Sequence, residues 1–510
     1  MRKIFLATLI TGIVSASYFA HALPENNSEH IADLQDNTSN SNEAPLLKST
    51  DPGAERFKHV GKLSGRGLCT ATLIAGSETP DVNQQALILS AGHCFDSSLD
   101  TNEVIIDQPV GPGWTYTPNY FIDLINEHQP VDVDRVLYAT MKGGDLAVFR
   151  LKATYGELAK RGILPVTLQK DHDPSALELT SQQIELVHIP VNGIESDKRY
   201  LRYSACNITG KAPLVYEGIW AWSPAVPVNC AGVAGGTSGS PVMLKDQSKI
   251  IGVLNTTVDR SYWGCGLNRP CEFIIDHSFS RAGASYYMPI DKIARAFTPD
   301  GKLDLSKFDD GKGITINASG PLITKGTVNN KPVTWNLRLE EKGFNNIRYK
   351  RGLASKVDCT DPKGYSKPIP VTTQPLEKLT VPSKEGIYTM CVIGQHSANK
   401  LWQSTSNASI KLREIDNTLP GIRPDSTLLF QTDDSWVIDL RFRPWEVVDI
   451  RYKAGPRKST KCDDYKNYST YRRVPITLKK KDSPVRFCMY GLDQAGNIGA
   501  IFFEDFGDQK

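Results

Sequence analysis

Beyond its N-terminus the chain lacks any segment approaching the ~20 consecutive apolar residues that a membrane-spanning helix requires. Neither sign of charge dominates either. There are 59 Lys and Arg against 56 Asp and Glu, a net charge of +3, too little to point to a nucleic-acid partner. No CxxC pair and no Cys/His cluster has structural-zinc spacing, so no motif calls for a metal. The ten cysteines leave no odd thiol to serve as a nucleophile. At 40% hydrophobic and 23% charged residues, the composition excludes a wholly disordered or fibrous chain. Its 510 residues suggest roughly three domains at about 150 residues each.

What is present begins with an export signal. Arg2 and Lys3 precede an apolar run from Ile4 to Ala20, and Ala20-His21-Ala22 supplies the small-x-small pattern read by signal peptidase. Residues 1–22 therefore read as a signal peptide, and the mature protein as secreted. Residues 23–55 are rich in Asn, Ser, Asp and Glu with almost no aromatics. Such a stretch buries too little apolar surface to offset its ordering entropy, so the expectation is a flexible leader or propeptide. Export makes disulfides the default. Neighbour pairing gives Cys69–Cys94, Cys206–Cys230, Cys265–Cys271, Cys359–Cys391 and Cys462–Cys488. The middle four also admit Cys230–Cys265 with Cys206–Cys271.

Three motifs carry chemistry. In the first, CTATLIA and ALILSA read as buried strands, and the second ends in Ser90-Ala91-Gly92-His93-Cys94. A histidine just past a strand and beside a cysteine able to bridge to Cys69 is held as a general base must be. In the second, GGDLAVFRL sets Asp145 at the start of an apolar strand, where a buried carboxylate needs a partner such as an imidazole N–H. Asp132 and Asp134 are rivals that lack the following strand. In the third, GGTSGSPVM surrounds Ser238 with glycines, allowing a tight turn that projects the hydroxyl. That turn also aims the N–H groups of Gly236 and Ser238 at one point, and an oxyanion-hole donor of this kind is worth ~3–4 kcal/mol. Each motif alone has a plain structural reading: a satisfied histidine, a capping aspartate, a flexible loop.

Taken in the order His93, Asp145, Ser238, the three motifs resemble the chymotrypsin-fold (trypsin-like) serine endopeptidases. That order differs from those of subtilisin and the α/β-hydrolases. The resemblance spans residues 56–300 and implies an all-β domain of two β-barrels. It also implies that Ser238 is the nucleophile, His93 the general base and then acid, and Asp145 the group orienting the imidazole. Gly236 and Ser238 would form the oxyanion hole, and Cys69–Cys94 would match the family's bridge behind the histidine. The mechanism requires no cofactor. Its partners would be protein or peptide substrates.

The chain departs from animal trypsins, which have G-D-S-G-G-P where this sequence has Gly236-Thr237-Ser238-Gly239-Ser240-Pro241. Thr237 cannot pair with an ammonium, and no R-[IV]-[VI]-G-G sequence lies near residue 56. The expectation is an oxyanion hole shaped by hydrogen bonds, without insertion of a new N-terminus. Trypsin-type members carry an Asp at the pocket base where this chain has Gly232, so a small or apolar P1 side chain is expected. By the same resemblance Leu254, Asn255 and Thr256 form the edge that binds substrate backbone. The insertion 259–285 could bring Glu272, Asp276 or His277 to the pocket.

The second half repeats itself. Ile347-Arg348-Tyr349-Lys350 recurs as Ile450-Arg451-Tyr452-Lys453, Cys359 as Cys462, and Cys391 as Cys488. A period near 100 residues with short β-like runs suits two β-sandwich domains, 310–412 and 413–510, each with one disulfide. They resemble the immunoglobulin-like modules of exported bacterial enzymes. Residues 441–486 hold fourteen Lys/Arg against five Asp/Glu, a basic face that would attract acidic cell-surface polymers. Trp402, Trp436 and Trp445 are candidates for sugar stacking. A catalytically silent, surface-binding protein acting through these modules is the rival functional reading.

Overall fold

The structure is a computed structural model that describes residues 44–170, 182–210, 214–245, 249–258, 265–274, 277–281, 283–308, 313–421, 423–441 and 447–507. It is mostly β. The first half contains β1 (Val60–Ser64), β2 (Leu68–Ala75), β3 (Gln85–Ser90), β4 (Val104–Pro109), β5 (Thr115–Pro118) and β6 (Val131–Thr140). Next come β7 (Leu146–Thr154), β8 (Val166–Leu168), β9 (Gln183–His188), β10 (Arg202–Asn207), β11 (Leu214–Glu217) and β12 (Trp220–Trp222). The last six are β13 (Val226–Val228), β14 (Pro241–Leu244), β15 (Lys249–Thr257), β16 (Cys271–Ile274), β17 (His277–Phe279) and β18 (Ser285–Pro289).

Two barrels follow from the pairing. The path β1-β5-β6-β7-β3-β2 closes on itself because β1 also pairs with β2. The path β10-β9-β14-β15-β18-β13 is closed by a bridge between Ile208 and Val228. Strand β8 runs parallel to both β2 and β15 and joins the barrels. The apolar runs read from the sequence coincide with β2, β3, β7 and β15, of which β2 and β3 are buried almost throughout, β15 over its middle and β7 over its first half. Full burial of Leu73, Ile88, Val148 and Phe149 stabilises the first barrel by about 1.5–3 kcal/mol per side chain.

All five neighbour disulfides are formed, so the crossed alternative for the middle four does not occur. Residues 44–55, assigned by composition to the flexible leader, are instead seated on the second barrel. Ala44 and Leu47 are buried, Leu46 bridges to Arg202, and the Leu47 N–H donates to Leu201 O at 2.8 Å. Composition missed this because two or three apolar side chains against a strand edge suffice to order so short a segment.

The repeat is structural as well as textual. Strands Phe344–Leu353 and Gly386–His396 pair in the first copy, and Asp449–Pro456 and Val485–Leu492 in the second. In each, a lysine ammonium is enclosed by backbone carbonyls. Lys350 Nζ donates to Asp358 O at 2.7 Å and Asp361 O at 2.6 Å, above the Tyr365 ring. Lys453 Nζ donates to Lys461 O at 2.6 Å and Asp464 O at 2.5 Å, above the Tyr468 ring. The tyrosine hydroxyls return to Cys359 O and Cys462 O, tying each loop to its disulfide. Lys453→Met should therefore destabilise the second copy by about 1–3 kcal/mol in urea unfolding, because carbonyls turned toward a cation lose their donor. The same change at exposed Lys481 should leave the transition in place.

Candidate functional site

The two barrels each bring part of one site. His93 lies on the short 3-10 turn Gly92–Cys94 that follows β3, and Asp145 immediately precedes β7. The second barrel brings Ser238, on the loop before β14, and Asn255, on β15.

Asp145 has no exposure and holds His93 at two points. The backbone N–H of His93 donates to Oδ1 at 2.8 Å, and ring Nδ1 lies 2.6 Å from Oδ2. With the Nδ1–H donating to the carboxylate, Nε2 carries the lone pair a general base needs. Gly92 makes this approach possible, since a β-carbon there would meet Thr140 O at 2.1 Å and Asp145 Oδ1 at 3.0 Å. Asn255 Nδ2 reaches Asp145 Oδ2 at 3.5 Å. Burial pulls the His93 pKa down, but the Asp145 carboxylate and, from further away, that of Glu217 outweigh it, leaving the imidazole more basic than usual. By contrast, burial beside Arg56 pushes His59 down to about 4, and burial beside Arg202 pushes His188 down to about 3. Those two rings stay neutral.

The Ser238 loop is bound from several sides. Thr70 donates its Oγ1 proton to Gly236 O at 3.1 Å and its N–H to Ser238 O at 2.9 Å. The N–H groups of Val191 and Asn192 both reach Gly235 O, at 2.7 and 3.0 Å. Thr237 is buried, and its N–H and hydroxyl both donate to Ala234 O, at 3.0 and 2.6 Å. Hydrogen bonds from Thr237 thus fasten its loop to Ala234. Gly236 has φ +101° and Gly239 φ +88°, where L side chains are strained. A β-carbon at Gly239 would also meet Thr70 O at 2.0 Å. Among the described residues, the N–H groups of Gly236 and Ser238 donate to nothing. Donors left open in this way can take up an oxyanion.

The hydroxyl of Ser238 donates to Asn255 O at 3.3 Å, and among the described residues no hydrogen bond joins it to the imidazole. Histidine and aspartate are brought together; histidine and serine stand apart. Nε2 of His93 lies 4.0 Å from Cys94 Sγ. Although Cys69, His93 and Cys94 cluster closely, both sulfurs are in the Cys69–Cys94 bridge and offer no thiolate to a metal.

The expected specificity residues fare unevenly. Leu254 is fully buried, with its N–H donating to Ser240 O and its C=O accepting from Gly239, so it does not offer the open edge expected of it. The register shifts between Leu254 and Thr256, a bulge that re-aims the strand at Asn255 and Thr256. Gly232 (φ +69°) faces the docked N-terminal segment, with Ala44 N 2.7 Å from where its β-carbon would lie. Glu272 is occupied by Arg281 and the Tyr286 hydroxyl, both at 2.9 Å. Asp276 and the side chain of His277 lie outside the described residues. Asp132 and Asp134 pair with Lys152 and Arg150, away from His93. A cavity of about 260 Å³ is lined by Gly144, Leu146, Lys142, Asp291, Ala408 and Ile410, and by none of His93, Asp145 and Ser238.

Two contributors escaped the sequence reading. Thr70, inside the quoted CTATLIA run, looks like any strand threonine. Glu217 is buried, accepts from Thr256 Oγ1 at 2.6 Å, and has no surrounding motif. Burial pushes its pKa up against the hydrogen bonds from Thr256 and Asn268.

No protein-family profile matches the chain, and no curated protein does. Among solved structures, the thermostable serine protease AL20 from an extremophilic microorganism matches 46% of this chain and 92% of its own, at 12% identity and a TM-score of 0.29. A mutant of human heparin binding protein (CAP37) matches 46% of this chain and 88% of its own, at 12% identity and a TM-score of 0.27. A scabies mite inactivated protease paralogue, SMIPP-S-I1, matches 49% of this chain and 94% of its own, at 12% identity and a TM-score of 0.31.

The raised basicity of His93 has a measurable sign. Fluorophosphonate labelling of Ser238 requires the neutral imidazole, so its rate should fall as pH drops through a midpoint above 6.5. In Asp145→Asn the midpoint should move down and the rate fall on the order of 10⁴-fold. A wild-type midpoint at or below 6.5 contradicts this electrostatic picture.

Proposed function

We propose that the chain is an exported serine endopeptidase that hydrolyses peptide bonds through an acyl-enzyme on Ser238. The observation that carries this reading is the two-point hold of Asp145 on His93 beside a serine loop with two open N–H groups. In the reaction the Ser238 hydroxyl turns from Asn255 O to His93 Nε2 and gives up its proton as Oγ attacks the scissile carbonyl. The Gly236 and Ser238 N–H groups receive the oxyanion. His93 then protonates the departing amine, leaving the acyl ester. Water attacks the ester carbonyl as His93 takes its proton, and His93 passes that proton to Ser238 Oγ as the acid departs, while Asp145 stabilises the imidazolium in both halves. No acid lies between Val228 and Gly235, which favours small or apolar P1 side chains. The C-terminal repeats, read as immunoglobulin-like, would add contact with an acidic surface polymer.

One observation favours the rival reading of a silent, surface-binding protein. The serine hydroxyl engages Asn255 O instead of the imidazole. Catalytic hydrogen bonds are often long in the free enzyme and tighten only with substrate, so the endopeptidase reading is preferred. Purified protein should clear casein and react covalently with a fluorophosphonate at Ser238, and Ser238→Ala should abolish both. Equal clearing by wild type and variant, or labelling elsewhere, rejects the assignment.

A further inference from the structure

The geometry points to Glu217 as a positioning residue that ties the substrate edge at Thr256 to the second C-terminal repeat, making that repeat part of the hydrolytic site. This rests on the endopeptidase reading. Glu217 ends β11, is 6% exposed, and belongs to no proton-transfer step of the triad. One carboxylate oxygen accepts from Thr256 Oγ1 at 2.6 Å and the other from the Asn268 N–H at 2.9 Å. A buried carboxylate is tolerated only where donors meet it, so these two partners are fixed relative to each other.

Each partner leads onward. Asn268 sits in the short loop closed by Cys265–Cys271. Both backbone groups of Cys265 are held by one side-chain amide from the second repeat. Gln494 Oε1 accepts from Cys265 N–H at 2.9 Å, and Gln494 Nε2 donates to Cys265 O at 2.9 Å. Gln494 is itself placed on a turn that Asn497 ties to Asp493, at 2.7 and 2.8 Å. Ala495 packs on the Cys265–Cys271 bridge. In the other direction, Thr256 follows Asn255, whose carbonyl receives the Ser238 hydroxyl and whose amide reaches Asp145. The path from Gln494 through Cys265, Asn268, Glu217 and Thr256 to the reacting residues has no gap wider than a hydrogen bond.

This strut acts on the strand that receives a peptide, beyond the triad's own bonds. Its loss should therefore separate extended from minimal substrates. Gln494→Ala, Glu217→Gln and Thr256→Val should each lower kcat/KM for an extended peptide by about tenfold or more, mainly through KM. In Gln494→Ala, hydrolysis of a small activated ester, which touches only the triad and oxyanion hole, should stay within about twofold. Thr256→Ser, which keeps the hydroxyl, should restore peptide turnover. Gln494→Ala combined with Thr256→Val should cost little more than either alone, since both cut one path. Wild-type peptide kinetics in Gln494→Ala, equal losses on ester and peptide, or fully additive effects would each overturn the proposal while leaving the endopeptidase reading intact. A wild-type protein inert toward both substrates would remove that reading itself, and the proposal with it.

Discussion

Asp145 is sealed from solvent, and a carboxylate in that position is stable only if donors meet its lone pairs. Much of the surrounding architecture answers this demand. The turn after β3 must bring both a backbone N–H and an imidazole to the acid, which leaves no room for a side chain at Gly92. The bulged strand of the other barrel contributes Asn255. The acid thereby joins the two barrels electrostatically at the point where the serine loop also arrives. Thr70 reinforces the same junction, since its backbone and hydroxyl fasten the Ser238 loop to β2.

The C-terminal half does not hang from the barrels as beads on a string. Phe273 of the first half packs with Ile387 and Leu412 of the first repeat, among Leu214, Tyr216 and Ala221. Lys411 Nζ donates to Thr101 Oγ1 at 2.8 Å, and Ser278 N–H donates to Glu414 Oε1 at 2.9 Å. The small sheet β12-β11-β16-β17 is thus covered by the first repeat while the second grips the Cys265–Cys271 loop. Glu217 ends one strand of that sheet, with Thr256 and Asn268 as its donors. Basic residues counted as a surface face are partly spent internally: Lys453 is surrounded by carbonyls, and Arg486 pairs with Asp505 at 2.9 Å. Net charge along a segment overstates what reaches solvent.

Several features were legible from residue order because they depend on neighbours in the chain. Continuous apolar runs marked β2, β3, β7 and β15, and glycines around Ser238 marked its turn. Short Cys–Cys separations marked the disulfides, since nearby thiols close the least costly loops. The 103-residue echo of Lys350 and Lys453 proved to be a shared carbonyl enclosure, a stronger likeness than the quoted tetrapeptides. Other features were misjudged where local composition stood in for contact. Residues 44–55 look mobile but lie on a strand edge, and Leu254 looks like a substrate edge but turns its backbone inward.

Read alone, the sequence determined the β architecture of the first half and the repeat of the second, and it singled out His93 and Asp145, which the fold pairs. Each of those is written in periodicity or spacing over a few residues. Only the tertiary structure decided that the serine hydroxyl rests on Asn255 O, that Glu217 lies beneath Thr256, and that Gln494 clasps a loop 229 positions away. Those relations are made by packing between segments whose separation along the chain leaves no local trace, and the burial that gives a carboxylate its importance exists only once they have met.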